Sequence, residues 1–96
     1  MSVYVIAQIE IEDRERYGVY EAGFLEIFQR HEGRLLAVDE NQQAIEGECP
    51  WTRTVLLEFP SEEAMRAWYD SCEYQELVEH RWRASKPQIT LVRGIG

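Results

Sequence analysis

Apolar and polar residues alternate in the first part of the chain. Residues 3–11, VYVIAQIEI, carry an apolar side chain at every odd position and a mixed set at the even positions. This period of two predicts a β-strand with one dry face and one mixed face. Residues 34–38 (RLLAV), 53–59 (RTVLLEF) and 88–93 (QITLVR) are predicted as three further strands. Residues 43–46 could add a short strand to an otherwise polar segment.

The period changes to three and four residues after Asp13, which is placed to cap a helix. The stripe predicts a first helix of about five turns, with Gly33 as its C-terminal cap. Its apolar face is formed by Tyr17, Tyr20, Phe24, Ile27, Phe28 and His31.

A second helix is predicted after Pro60, which stops the third strand. Ser61 is its expected cap, and the sequence looks broken at residues 71–73. A helical stripe then restarts at Tyr74 and ends at Lys86–Pro87.

The predicted order is strand, helix, strand, strand, helix, strand. This order is typical of the ferredoxin-like βαββαβ arrangement, an α+β fold with a four-stranded antiparallel sheet and helices on one face. The 96 residues suffice for a single domain, residues 1–96. Apolar residues occur on both predicted sheet faces, because Leu56 and Ile6 lie on the face opposite the one that is expected to be buried. A bare apolar face favours a two-fold homodimer, sheet against sheet.

Composition narrows the possible partners. Ten basic and eighteen acidic residues give a net charge of −8, which disfavours nucleic acid and anionic membrane surfaces. No apolar stretch approaches the roughly 18 residues of a membrane span. The N-terminus lacks a basic region of the kind that signal peptides carry, so we expect a cytoplasmic protein.

Metal and cofactor motifs are not recognisable. Cys49, Cys72, His31 and His80 match no ligand spacing, and the chain contains neither a P-loop nor a GxGxxG motif. We therefore expect no metal site and no cofactor.

Three segments carry a resemblance to a known family. They are YVIAQIEIEDRERYGVYEAG at residues 4–23, HEGR at 31–34 and EFPSEEAMRAWYDSCEYQEL at 58–77. Nearly end to end, the chain resembles an uncharacterised domain-of-unknown-function family of the dimeric α+β barrel superfamily. The resemblance implies a ferredoxin-like subunit and a homodimer, and it implies no particular activity. Relatives in the superfamily include cofactor-free monooxygenases, muconolactone isomerases and haem-using enzymes, whose chemistry does not transfer with the fold.

Two positions depart from the family pattern, namely Glu32, where a small residue is usual, and Cys72, where proline is common. The matching positions are Tyr17, Tyr20, His31, Gly33, Glu46, Gly47, Arg53, Glu58, Phe59, Pro60, Ser61, Trp68, Tyr69, Ser71, Tyr74 and Arg81.

His31 and Glu58 are the candidate catalytic residues. A neutral imidazole titrates near working pH and could act as a general base. Glu58 could serve instead, if burial raises its pKa. The alternative for His31 is an interaction with the carbonyl groups at the end of the first helix.

The candidate binding residues fall into two groups. Tyr17, Tyr20, Trp68 and Tyr74 could shape a ligand pocket, or they could pack as aromatic core. Arg53 and Arg81 could hold a substrate carboxylate. Alternatively, the two arginines form structural ion pairs with Glu46 and Glu58.

Three hypotheses of function remain open, and the residues do not decide whether the protein is an enzyme. The first is a pocket in each subunit for a small carboxylate-bearing organic molecule. The second is a non-enzymatic sensor or interaction module with an internally satisfied Arg–Glu network. The third, a cofactor-free monooxygenase or isomerase, rests on analogy with the superfamily alone.

Overall fold

The computed structural model describes residues 1–96, which form four strands and three helices. In chain order these are β1 (Val3–Ile11), α1 (Arg14–Gln29), β2 (Arg34–Asp39), β3 (Arg53–Phe59), α2 (Glu62–Tyr69), α3 (Cys72–Ala84) and β4 (Ser85–Arg93).

The strands form one antiparallel sheet in the order β2-β3-β1-β4, with the helices on one side. This is the ferredoxin-like fold predicted from the sequence, which is thereby confirmed. The molecule measures 33 × 31 × 15 Å, the proportions of one sheet layer and one helix layer.

The core fills the space between these two layers. Alternate residues of β1 and β3 point to the helices, and Val5, Leu57 and Phe59 are each at most 2% exposed. The residues between them, such as Ile6 and Leu56, lie on the other face, where no element of the chain covers them. Both faces therefore carry apolar side chains, as the alternation predicted.

The predicted N-terminal caps of the first two helices and the predicted break are confirmed. The Asp13 carboxylate accepts a hydrogen bond from the backbone N–H of Arg16, and the Ser61 hydroxyl accepts one from that of Ala64. Ser71 caps α3 in the same way, so α2 and α3 are separate helices. The backbone N–H groups at the start of each helix thereby gain acceptors.

Two predictions about the strands were wrong. Residues 43–46 form no strand and belong to a loop between β2 and β3. The last strand begins at Ser85 rather than Gln88, with Pro87 paired opposite Ile9. Proline is tolerated there because β4 is an edge strand, on which not every N–H is needed for pairing.

The end of α1 also differs from the prediction. The helix ends at Gln29, so His31 lies in the following turn and not on the helical stripe. The left-handed residue of this turn is Glu32, with a φ of 63°, and not Gly33. Gly33 is required for a different reason, because a Cβ there would overlap the Phe28 ring and lie 2.9 Å from the Phe59 ring.

None of the three helices combines the length and the apolar character needed to cross a bilayer.

Candidate functional site

A cavity of about 180 Å³ lies between the sheet and the helices. Fifteen of its eighteen lining residues are hydrophobic. Residues of β1 and β3 form one wall, and residues of α1, α2 and α3 form the opposite wall. Leu25, Leu35 and Val38 line the end beside β2 and are 43% to 47% exposed. We call this end the mouth of the cavity; Glu21 also belongs to it.

Aromatic side chains shape the interior of the cavity. The Tyr20 and Tyr74 hydroxyls share a buried hydrogen bond of 2.7 Å. The Trp68 ring lies 4.4 Å from the Tyr74 ring, measured between centroids. The indole Nε1 of Trp68 is buried and has no hydrogen-bond partner. The aromatic walls of the cavity therefore include one buried donor, the Trp68 indole N–H, that lacks an acceptor.

The buried phenols stay protonated at neutral pH. Burial raises the pKa of Tyr20 well above its ordinary value, and it also raises the pKa of Tyr74. The pKa of Tyr17 is raised by burial as well, although the neighbouring Arg53 and Arg81 oppose that rise. All three hydroxyls can therefore donate hydrogen bonds.

Arg81 supplies a buried positive charge on the cavity wall. It is 2% exposed, and its guanidinium lies 5.5 Å from the centroid of the Tyr20 ring. Its Nη1 atom has no hydrogen-bond partner, and Arg81 belongs to none of the ion pairs of the protein. Arginine remains charged at neutral pH. Since buried charges are normally paired, this one is available to an anion that enters the cavity.

Arg53 lies at the mouth and is paired. Its Nη1 donates to Glu40 over 2.8 Å, and its Nη2 lies 3.2 Å from Glu21. Arg14 also donates to Glu40, over 3.0 Å. Hydrogen bonds from Arg14 and then from Arg53 lower the pKa of Glu40. These four residues, which we call the mouth cluster, combine two cations and two anions.

The structure brings six of the nine candidate residues to the cavity. These are Tyr17, Tyr20, Arg53, Trp68, Tyr74 and Arg81. Three candidates lie elsewhere, which corrects the expectation that all nine share one site: His31, Glu46 and Glu58.

Local geometry explains why these three lie apart. His31 follows the end of α1, and its backbone N–H donates to the Phe28 carbonyl over 3.1 Å. Glu58 points to the face away from the helices, where it pairs with Arg34 at 3.3 Å. Glu46 is exposed in the loop after β2.

The predicted ion pairs were therefore wrong. Neither Glu46 nor Glu58 contacts Arg53 or Arg81. The partners of Arg53 are Glu21 and Glu40, which sequence reasoning missed. Glu21 carried a usable signal, because it follows Tyr17 by four residues and so lies on the same helical face.

The arrangement of strands and helices defines a ferredoxin-like α+β protein. A family model described as a domain of unknown function, DUF1330, matches residues 2–95, and the chain belongs to this family. Comparison with curated proteins finds no match.

Several solved structures are similar in fold. A protein of unknown function from Rhodopseudomonas palustris has a TM-score of 0.81 at 17% identity, covering 99% of this chain and 83% of its own. SnoaB, a cofactor-independent oxygenase from Streptomyces nogalater, has a TM-score of 0.70 at 10% identity, covering 99% and 94%. A dimeric protein of unknown function and ferredoxin-like fold from Bacteroides fragilis has a TM-score of 0.62 at 15% identity, covering 97% and 96%. At these identities the similarity extends to the fold alone.

Proposed function

We propose that this protein binds a small, carboxylate-bearing organic molecule in the cavity between its helices and its sheet, one molecule per subunit of a homodimer. The observation that carries the proposal is Arg81, a cation buried beside the cavity without an anionic partner. A carboxylate would supply the missing charge and accept two parallel hydrogen bonds from the guanidinium.

The size of the cavity supports a ligand with a single ring. An apolar cavity of about 150 Å³ accommodates benzene. The present cavity of about 180 Å³ therefore has room for a six-membered ring with a small polar group. The largely apolar walls would remove the ring of the ligand from water, and this burial is the main source of affinity for an apolar ring.

The polar groups at the cavity support binding more than proton transfer. No histidine lines it, and its one acidic lining residue, Glu21, is paired with Arg53 at the mouth. A general base would need an unpaired group within hydrogen-bond reach of the ligand. Binding without turnover, as in a sensor, is therefore the version of the proposal that the lining favours.

The competing hypothesis is an interaction module whose arginines are satisfied within the protein. Arg53 fits that description, because two carboxylates hold it. Arg81 does not, and this difference favours a ligand. Oxygenase chemistry like that named for SnoaB would need observations beyond the shared fold.

Calorimetric titration with benzoate tests the proposal. Benzoate should bind the wild-type protein in a saturable way and the Arg81→Met variant roughly 10-fold to 100-fold more weakly, because a charge-assisted contact is lost. Arg66→Met is the matched control, since it removes an exposed arginine of α2 and should leave binding unchanged. Benzamide has the same shape without the charge and should bind the wild type more weakly.

Two results would contradict the proposal: no saturable benzoate binding to the wild type, or equal binding to Arg81→Met. Native mass spectrometry of the freshly purified protein would complement the titration. A dimer with added mass would support both parts of the proposal, and the mass itself would limit the identity of the bound molecule.

A further inference from the structure

We infer that the occupant of this cavity is a monoanion, a ring-sized carboxylate that also carries an uncharged hydrogen-bond acceptor. The inference rests on the function proposed above and adds the chemical class of the ligand. It comes from the different charge environments at the two arginines that line the cavity.

The interior of the cavity calls for one negative charge. Arg81 is the cation of the interior, and it has no acidic neighbour within ion-pair distance. One carboxylate neutralises it, and a second would find no further buried cation. Because burying an uncompensated charge is strongly unfavourable, the interior favours a single carboxylate.

The mouth of the cavity is already neutral. In the mouth cluster, Arg53 contacts both Glu21 and Glu40, and Arg14 contacts Glu40. A second carboxylate of a ligand would therefore meet two existing carboxylates and no free positive charge. Like-charge contacts of this kind exclude the wrong partner.

The mouth still offers a hydrogen-bond donor. Both terminal nitrogens of Arg53 lie against carboxylates, but its buried Nε has no partner. Since Arg53 lines the cavity, a hydroxyl, carbonyl or amide oxygen of the ligand could accept from this group. Such an acceptor needs no charge, because the charge of Arg53 is already compensated.

The two arginines lie against different aromatic rings of the cavity. The Arg53 guanidinium lies 5.7 Å from the Tyr17 ring centroid, and the Arg81 guanidinium lies 5.5 Å from that of Tyr20. The two tyrosines are separated by three residues, about 4.5 Å along the helix axis, and their ring centroids by 5.6 Å. The two guanidinium groups therefore lie against different rings of α1, which favours a separate polar group of the ligand for each arginine.

Two pairs of matched probes separate charge from size. Terephthalate and its monoamide, terephthalamate, have nearly the same shape and differ by one negative charge. We expect terephthalamate to bind the wild type at least about 10-fold more tightly. Glu21→Gln removes one anion from the mouth with little change of shape, so it should narrow that gap. A gap that reflects size alone would stay unchanged in this variant.

The second pair tests the acceptor. Para-hydroxybenzoate should bind roughly 2-fold to 10-fold more tightly than para-toluate, which carries a methyl group in place of the hydroxyl. Arg53→Lys keeps a cation at the mouth but lacks the Nε donor, so it should abolish this preference while para-toluate still binds.

The outcomes also distinguish this inference from the proposed function. If benzoate fails to bind the wild type, the proposed function is wrong, and so is this inference. If benzoate binds but terephthalate binds as tightly as terephthalamate, or the gap persists in Glu21→Gln, the monoanion inference alone is wrong. If Arg53→Lys retains the preference for para-hydroxybenzoate, the acceptor contact at Arg53 is wrong.

Discussion

Arg81 should lower the stability of the ligand-free protein. A buried guanidinium without an anion has lost its hydration, and its contacts with the Tyr20 ring and the Tyr74 hydroxyl recover only part of that cost. Replacement of a buried ion pair by apolar side chains of similar volume is often neutral or stabilising by about 1–4 kcal/mol, and Arg81 lacks even the partner charge. We therefore expect Arg81→Met to raise the free energy of unfolding by about 1–3 kcal/mol, measured by urea denaturation, while weakening benzoate binding.

Arg66→Met is again the control, and its stability should change by less than about 0.5 kcal/mol. A loss of stability in Arg81→Met would point instead to a structural role for the arginine. That result would favour the interaction module, in which every arginine is satisfied by the protein itself.

The Tyr20–Tyr74 pair makes stability depend on alkaline pH. Burial raises the pKa of each phenol above the unfolded value of about 10. Below the unfolded pKa both states hold the protons, so the contribution of the pair is fully present. As the pH rises through the folded pKa values, the unfolded state has already released its protons, and this stability is lost.

The double variant Tyr20→Phe/Tyr74→Phe should therefore lose less stability than the wild type between neutral pH and about pH 11. Urea denaturation at several pH values measures this difference. Parallel pH profiles for the wild type and the double variant would contradict the assignment.

At the scale of elements, the turn between α1 and β2 uses an acidic residue where glycine would fit better. Glu32 adopts a φ of 63°, which costs a residue with a side chain about 1–2 kcal/mol. Glu32→Gly should therefore raise the free energy of unfolding by about 1 kcal/mol.

Gly33→Ala should lower the free energy of unfolding by about 1–3 kcal/mol, because the added methyl group meets the buried Phe28 and Phe59 rings.

Thermal or urea denaturation of the two single variants checks this pair of predictions. Opposite signs at adjacent positions are the distinguishing result. If Glu32→Gly destabilises and Gly33→Ala is neutral, the roles of the two residues in the turn have been assigned to the wrong positions.

Sequence patterns predicted the elements wherever one face is buried. The alternation in β1 and β3 and the stripe of α1 reflect burial against a single core, and local side-chain caps marked the helix starts. The start of β4 could not be predicted in this way, because Pro87 indicates a stop unless the strand is known to lie at a sheet edge. The end of α1 could not be predicted from the glycine, because the left-handed residue of the turn is Glu32 and Gly33 is required by a tertiary contact.

Part of the candidate site could also be predicted from the sequence, for the same reason. Residues on the inner stripes of the helices, such as Tyr20, Tyr74 and Arg81, were found because the helical period places them facing the sheet. The pairing of Arg53 with Glu40 was not predictable, because Glu40 lies in a loop without a period. Glu58 was misassigned because its position in β3 places it on the other face, which the alternation of that strand already indicated.

At the scale of the whole molecule, the open face of the sheet requires an explanation. Ile6 and Leu56 are direct neighbours across β1 and β3 at its centre, and Tyr4 and Val92 are neighbours across β1 and β4 on the same face. No helix covers these side chains. Uncovered apolar side chains at the centre of a sheet face favour a two-fold homodimer, which would bury them against its own copy.

Leu56→Glu should therefore convert a dimer into a folded monomer. The substitution places two carboxylates, one from each subunit, at the centre of the proposed interface, where they would be desolvated without partners. Sedimentation velocity at micromolar concentration should show the wild type as a dimer and the variant as a monomer with unchanged helical content. Val19→Glu is the control, because Val19 is 49% exposed on α1, on the helical side of the molecule. A monomeric wild type would refute the dimer, and a dimeric Leu56→Glu would place the interface on another surface.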